Sequence, residues 1–577
     1  MSEIYSNIVP QNKVRQIQKE TLQIIANSLT KSFGPMGSST AIVTNSDKNG
    51  VNIALEYTKD GHTIVKNIRF NYPIERSIQD LLVDLTRYVV KEVGDGTTSA
   101  ILLCNSIYKC LCENNAFVTS PPSDIISKFN EVIQQVNEKI LAKGRECTLD
   151  DIYDIALIST NNNVDIAMTL KNVYEKYGLE TYIDVGTSNE IFNIIKDYDG
   201  MTLETGFSNI CFINNRADNS SIIKNPKVYS FKDPIDTPEM ISFMDVILDT
   251  NIINPVRENR SNPQFVPTVI LCKKITPDAS SYLESVVKLM NNPAYKDQIP
   301  LLIVSDIHQD YLFEDIAMMC GSPFIKKYLN PELQEKDQEV GLAPTLESVI
   351  NFCGGAELIE ATSTKTKIIK PAKMFKKDGS YSEEYDTHVQ YLEKEIERLK
   401  AENADLNDIG QARRRLNSFK GHMVDFLVGG ITLSDKQNLK AAVEDAVLNC
   451  RSAVKYGVGY GANFMALSVL KEIKDDLIKN NDNNTIVNIL YDSYVELASI
   501  LYSSMGCDAK DIIDESIKND CPLNIRTNKY DHKVLSSIRS DVVILETINK
   551  IMTLMYTCNQ YLVQTPVHNI YIAEDRD

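Results

Sequence analysis

The sequence predicts a multidomain protein of mixed α and α/β class, with helical regions at both ends enclosing a central α/β region. At 577 residues the chain is too long for one core, and a prior of roughly 150 residues per domain gives about three or four domains. The opening third and the closing fifth carry apolar residues at helical spacing, as in Val14 with Ile17 and Ile25 with Leu29. From Gly200 to about Phe375, short β-branched runs such as VPTVILCKK and IPLLIVSD alternate with helical segments such as SYLESVVKLM and DYLFEDIAMM, the pattern of an α/β domain.

Within the first region, Thr40 to Thr44 and Val51 to Leu55 flank the polar cluster Asn45 to Gly50 and predict two strands joined by a turn. The helical period returns from Ile78 to Val93 and stops at Gly94, and the Thr97-Thr98 pair opens the next helix. In the central region, Asp218 to Gln264 is rich in Pro, Asn and Ser and is expected to be a loop-rich insertion. Val389, Leu392, Ile396 and Leu399 form a heptad-like seam. It is too short for an independent coiled coil and predicts a helix packed on a neighbour in the same subunit. After Gly421 a short strand, FLVGGITL, precedes the helix NLKAAVEDAVLNCRSAVKY, closed by Gly457.

Composition narrows the function. A formal net charge of -18 disfavours nucleic acid, whose binding rests on Lys and Arg releasing counterions. With 43% hydrophobic and 24% charged residues, and apolar runs well short of the roughly 20 residues of a membrane span, no membrane partner is expected. Twelve cysteines are scattered from Cys104 to Cys558, the closest pair being Cys110 and Cys112, with no second pair for zinc. They predict reduced thiols and a cytoplasmic location, and the amino terminus carries neither an apolar signal core nor the features of a transit peptide. The six histidines are dispersed, so site chemistry is expected from carboxylates, hydroxyls and backbone amides.

Three small loops share a composition: Ser32-Phe33-Gly34-Pro35-Met36-Gly37, Thr58-Lys59-Asp60-Gly61, and Gly94-Asp95-Gly96-Thr97-Thr98-Ser99. In the third, the glycines allow close approach of backbone to a phosphate, and Thr97, Thr98 and Ser99 supply amides and hydroxyls at a helix amino terminus. Asp95 is then placed to hold Mg²⁺. Taken singly, each loop also reads as an ordinary turn or helix cap. No GxxxxGK[ST] motif occurs, which excludes a P-loop.

In order and context, LTKSFGPMGSS, YTKDGHTIVKNI and VVKEVGDGTTSAILL resemble the nucleotide-binding signature of the chaperonins. The likeness continues through STNN (Ser159 to Asn162), YDGMTLETGFSN (Tyr198 to Asn209) and AAVEDAVLNCRSAVKYGVGYGAN (Ala441 to Asn463), and is closer to the bacterial GroEL type, group I. The resemblance implies the chaperonin fold, with three domains built by a chain that goes out and returns. These are an equatorial ATP-binding domain (1–141 and 456–577), an intermediate hinge domain (142–199 and 422–455) and an apical substrate-binding domain (200–421).

The resemblance also implies an ATPase. Ser32, Phe33, Gly34 and Pro35 would line the nucleotide and Lys59 lie near the phosphates. Asp95 would bind Mg²⁺, Gly96, Thr97, Thr98 and Ser99 bind phosphate, and Asp445, assisted by Asp60, orient the attacking water. Gly461 and Ala462 fall where the family usually has three consecutive glycines, in the altered sequence GYGAN. Asn524 matches an asparagine at the adenine pocket, although Ile525 and Arg526 stand where small alanines are usual, and Asp541 is matched to a ribose-contacting aspartate. Implied cofactors are ATP and Mg²⁺, with K⁺ as an optional further cation.

Implied partners are non-native polypeptides, other copies of the chain in one or two seven-membered rings, and an optional co-chaperonin lid. Phe207, Phe212, Leu283, Val286, Leu312, Phe313 and Ile316 fall in the family's client-binding region. They are expected either as an exposed apolar surface or as ordinary core. A ring-forming scaffold without ATP turnover and a binding module for one client are the alternatives.

Overall fold

In a computed structural model, the described residues are 4–45, 53–114, 120–179, 181–188, 190–216, 219–276, 281–295, 297–326, 346, 348–374, 376, 381–402, 412, 415–416, 419, 423–482, 484–503 and 509–566. They fall into two compact units, one made of Met1–Ile195 with Phe426–Asp577 and the other of Lys196–Asp425.

The first unit opens with β1 (Ile4–Pro10), α1 (Gln11–Leu29), β2 (Thr40–Asn45) and β3 (Ile53–Thr58). It continues with α2 (Gly61–Asn67), α3 (Pro73–Val93), α4 (Thr97–Glu113), α5 (Pro122–Ala142), α6 (Leu149–Ser159), α7 (Val164–Tyr177) and β4 (Tyr182–Thr187). Strands β2 and β3 pair antiparallel, Thr40 opposite Thr58 and Asn45 opposite Ile53; the expected turn between them lies largely outside the described residues. Helix α3 stops where Gly94 takes φ 77°, and its amide closes on the Val90 carbonyl. Glycine's freedom in the left-handed region makes that stop possible.

The chain leaves this unit within β5 (Ile194–Tyr198) and enters a unit built on one sheet. Its elements are β6 (Gly200–Leu203), β7 (Ser221–Lys224), β8 (Lys227–Phe231), α8 (Pro238–Leu248), α9 (Asn254–Glu258), β9 (Thr268–Cys272) and α10 (Ser281–Met290). They continue as β10 (Leu301–Val304), α11 (Asp310–Cys320), β11 (Phe324–Ile325), β12 (Gly354–Ala361), β13 (Thr366–Pro371) and α12 (Glu383–Ala401). The strand order is β10-β9-β8-β12-β13-β6, with β11 on β8 and β7 on β12. Strands β8, β9 and β10 are parallel, Val228 beside Val269 and Val269 beside Leu302. They alternate with α8 and α10, the crossover arrangement that buries a parallel sheet on both faces.

Residues 219–264 correct the expected loop-rich insertion. They supply β7, the interior strand β8, α8, a π-helical turn (Asp249–Ile253) and α9. Two of the segment's five prolines, Pro238 and Pro255, sit in helical first turns, where a missing N–H is tolerated, and Asn225 makes the β7–β8 turn at φ 47°. Five of the expected client-facing residues are corrected as well. Phe212, Leu283, Val286, Phe313 and Ile316 are buried in this unit's core, and Phe207 and Leu312 are half-buried against it. Their helical spacing marks the inward faces of α10 and α11, because one stripe of an amphipathic helix must cover the sheet. The seam on α12 likewise turns Leu392 and Ile396 inward, and Leu392 packs in the same core.

The chain returns to the first unit within β14 (Met423–Val428) and continues through α13 (Leu433–Tyr456), β15 (Val458–Tyr460), α14 (Phe464–Lys479), α15 (Thr485–Tyr502) and α16 (Ala509–Asn519). It ends with β16 (Leu523–Asn524), β17 (Lys529–Tyr530), β18 (Leu535–Ser537), α17 (Arg539–Thr557) and β19 (Gln560–Pro566). The expected strand FLVGGITL stops at Val428, and Thr432 caps α13 by accepting from the Asp435 amide. Strand β19 pairs antiparallel with β1, Pro566 opposite Ile4, a closure invisible to local periodicity. Around the buried α4 pack Leu22 and Ile25 of α1, Leu82 and Val89 of α3, Leu490 of α15 and Leu545 and Ile548 of α17. Outbound and returning segments thus share one core.

Candidate active site

The first turn of α4 is the centre of the site. Gly96, at φ 94°, is its N-cap and offers no side chain to cap the helix. The first amides of a helix that lack a side-chain acceptor, reinforced by the helix dipole, form an anion-binding end. Thr97 and Ser99 are buried there and Thr98 is half-buried. Asp95 turns back on this loop, its Oδ1 accepting from the Gly96 amide at 2.6 Å.

Two glycines set the distances around that turn. A β-carbon on Gly61 would lie 2.6 Å from Thr98 Oγ1 and 3.2 Å from the Thr98 amide, so the Asp60-Gly61 loop rests directly on α4. A β-carbon on Gly94 would lie 2.3 Å from Leu448 Cβ and 3.1 Å from the Asp445 carbonyl, so the loop before α4 rests on α13. Both carboxylate-bearing segments are held at contact distance because nothing larger than hydrogen separates the backbones.

This packing brings Asp60, Asp95 and Asp445 into one field. Burial first, then the charges of Asp95, Asp60 and Glu444, holds the Asp445 carboxyl well above the ordinary range. Burial also raises Asp95, partly offset by the Gly96 amide. Desolvated carboxylates that repel one another make a site that a cation completes. Among the described residues, no group of three His, Cys, Asp or Glu side chains is disposed to hold a metal by itself. Mg²⁺ at a phosphate site takes one or two carboxylates together with phosphate oxygens, and Asp95 could supply one.

Asp60 has a second occupation. It is the N-cap of α2, accepting from the amides of His62 (3.2 Å) and Thr63 (2.8 Å) and from Thr63 Oγ1 at 2.7 Å. Lys59, beside it, is exposed.

The remaining expected residues divide. Gly34, at φ 78°, presses on Leu501, where an added β-carbon would come within 2.6 Å of Cδ1. Ser32 is buried with its hydroxyl on the Leu29 carbonyl, and Phe33 packs against the core, so these two shape the loop and expose little polar surface. Pro35 meets the β16–β17 turn, its carbonyl accepting from Arg526 Nη2 at 3.1 Å. Asn524 stands on that turn, with Oδ1 accepting from the amides of Arg526 and Thr527 and Nδ2 3.5 Å from Asp531 Oδ2. Asp541 does something else. It is buried, and its Oδ2 accepts from the Ala466 amide at 3.1 Å in the first turn of α14. Burial pushes it up to about 6, opposed by that amide.

In GYGAN, Ala462 and Asn463 both lie in the left-handed region, at φ 56° and 58°. The two positions that depart from glycine keep the conformation that glycine favours. Asn463 also donates from Nδ2 to Ser99 Oγ at 3.1 Å, joining this loop to α4. Asn463, Asp531 and Arg526 are functional candidates that the motif reading did not select. Another is Asn449, buried on α13, which donates to Ser159 Oγ and accepts from the Ser537 amide. Its position one helical turn after Asp445, facing the STNN segment, was the available signal.

Residues 25–238 match the family model described as the TCP-1/cpn60 chaperonin family. Two relatives named chaperonin GroEL, from Anaplasma phagocytophilum and from its strain HZ, are each 24% identical over 566 residues, covering 96% of this chain and 95% and 94% of their own. Among solved structures, the chaperonin gp146 of bacteriophage EL 2 (Pseudomonas aeruginosa), crystallised with ATP-BeFx, superposes with a TM-score of 0.73 in crystal form II. It has 16% identity and coverage of 96% of this chain and 99% of that one. A second crystal form of the same protein gives a TM-score of 0.65 at 17% identity. These matches run through the loops that meet at α4, and over nearly its whole length the chain is similar to GroEL-type chaperonins.

Proposed function

We propose that this chain is the subunit of a cytoplasmic homo-oligomeric ring that captures non-native polypeptides and promotes their folding through cycles of ATP binding and hydrolysis. The observation that carries the reading is the meeting of three segments, those of Asp60, Asp95 and Asp445, at the uncapped first turn of α4.

In this reading the amides and hydroxyls of Thr97, Thr98 and Ser99 take phosphate oxygens, with Gly94 and Gly96 letting the backbone approach. Asp95 would hold Mg²⁺, which would supply positive charge against the phosphates. Asp445 orients water for in-line attack, and Asp60 adds negative charge beside it. Pro35 and Asn524 lie toward the base. Because Asp445 belongs to the returning part of the chain and Asp60 and Asp95 to the outbound part, small movements of α13 would switch hydrolysis on and off. Seven-membered rings and an optional lid belong to the same proposal. The convergence of the GDGTT, KDG and VEDA segments gives the scaffold alternative no support.

Steady-state ATP hydrolysis by the purified assembly, parent against Asp445→Ala, tests the reading, with ring formation followed by electron microscopy. Turnover lost in the variant while rings and nucleotide binding persist is the expected result. Rings from a parent that hydrolyses no ATP would overturn the ATPase.

A further inference from the structure

Arg526 is the side chain that ties the Ser32–Gly37 loop to the turn between β16 and β17. Its Nη2 donates to the Pro35 carbonyl at 3.1 Å, across 491 positions of sequence. The turn that carries it is stapled from within. Asn524 Oδ1 accepts from the amides of Arg526 (3.2 Å) and Thr527 (3.4 Å), and the Asn528 amide closes on the Asn524 carbonyl at 2.8 Å with Asn528 at φ 52°. The loop opposite is equally self-contained, with Gly37 donating to the Gly34 carbonyl and Ser38 to that of Lys31. Two preformed rims are thus joined by one long, exposed, rotatable arm.

We propose that Arg526 is a latch at the base end of the nucleotide site, a positioning residue that slows nucleotide release by bridging the two rims. The proposal rests on the reading of Pro35 and Asn524 as lining that end. A guanidinium suits this role because it stays charged and its planar fork donates along a fixed direction to a carbonyl. Opening requires only side-chain rotation, since neither backbone rim has to rearrange. The latch therefore acts on entry and exit of the nucleotide and leaves the phosphate end, where hydrolysis occurs, as it is.

Release of a fluorescent ADP analogue from the intact assembly, measured by stopped flow with excess unlabelled nucleotide, tests this. Losing one charge-assisted hydrogen bond in solvent predicts that Arg526→Ala releases ADP roughly three- to tenfold faster. KM for ATP should rise while turnover at saturation does not fall, and Arg526→Lys, which keeps the charge and a donor but lacks the planar fork, should restore only part of the slow release. Dissociation from Arg526→Ala at the parental rate, with binding still abolished by Asp95→Ala, would overturn the latch and leave the site reading standing. A parent that binds no nucleotide would overturn both.

Discussion

Gly94 and Leu448 touch so closely that a methyl group on the glycine would lie 2.3 Å from the leucine β-carbon. This contact sets the spacing between the loop that carries Asp95 and the helix that carries Asp445. Gly94 also sits at φ 77°, so two independent penalties oppose any side chain there.

Gly94→Ala is expected to destabilise the first unit by about 2 to 4 kcal/mol. About 1 to 2 kcal/mol comes from the left-handed backbone and the rest from overpacking against α13. Denaturant unfolding of the parent and variant measures it, and ATP turnover should fall further than the stability loss explains, because the loop carrying Asp95 is pushed off α13. Equal stability in the two proteins would mean that α3 and α13 can separate freely, contrary to this packing.

Asp60 carries two roles that can be separated. Asp60→Ala removes the acceptor for the His62 and Thr63 amides and should cost about 1 kcal/mol as a lost N-cap, whereas Asp60→Asn keeps an acceptor and most of that stability. The asparagine variant loses the negative charge that acts on Asp445. It is expected to melt like the parent yet hydrolyse ATP more slowly. Parental turnover in Asp60→Asn would reduce Asp60 to a helix cap.

The carboxyl of Asp541 is raised from 3.8 to about 6 by burial, and this has a defined consequence for stability. Between about pH 4 and pH 6 the folded chain keeps a proton that the unfolded chain releases, so this group's contribution falls as pH rises through that window and stays low above it. The span corresponds to something on the order of 3 kcal/mol. Asp541→Asn keeps an acceptor for the Ala466 amide and removes the titration. The variant should therefore be more stable relative to the parent at pH 7 than at pH 4. A difference between the two proteins that does not change with pH would show that Asp541 ionises normally.

The legible parts of this molecule were those governed by local rules. The stop at Gly94, the start at Thr97, the β2 and β3 strands and the helix closed by Gly457 follow from glycine conformation, capping and periodicity, and each is present. The motif loops were legible as phosphate-approaching backbone because composition and order carried the signal. Burial was not legible. The spacing of Leu283 and Val286, or of Phe313 and Ile316, defines a helix face without saying whether that face meets the sheet or a client. Only packing decides it, and packing turns them inward. The 219–264 segment misled because Pro and Asn mark helix starts as well as loops. Motif resemblance selects Asp541, whereas Asp531 beside the Asn524 turn is visible only in the fold.

The GYGAN segment offers the cleanest test of how far the backbone constrains this chain. Ala462 and Asn463 are consecutive left-handed residues, at φ 56° and 58°, and asparagine tolerates that region while alanine does not. Gly461, the glycine retained here, is outside the left-handed set, and a β-carbon on it would meet Leu535 backbone atoms at an ordinary 3.4 Å. Gly461→Ala is therefore expected to be nearly neutral, and Ala462→Gly to stabilise. Relief of about 1 to 2 kcal/mol of backbone strain is offset by the roughly 0.5 to 1 kcal/mol that a glycine loses to the flexibility of the unfolded chain. Net stabilisation of up to about 1 kcal/mol should appear as a higher denaturant midpoint without a change in slope. A destabilised Ala462→Gly variant would mean that the methyl group makes a packing contact worth more than the strain it imposes, and the loop after β15 would then have adapted to alanine.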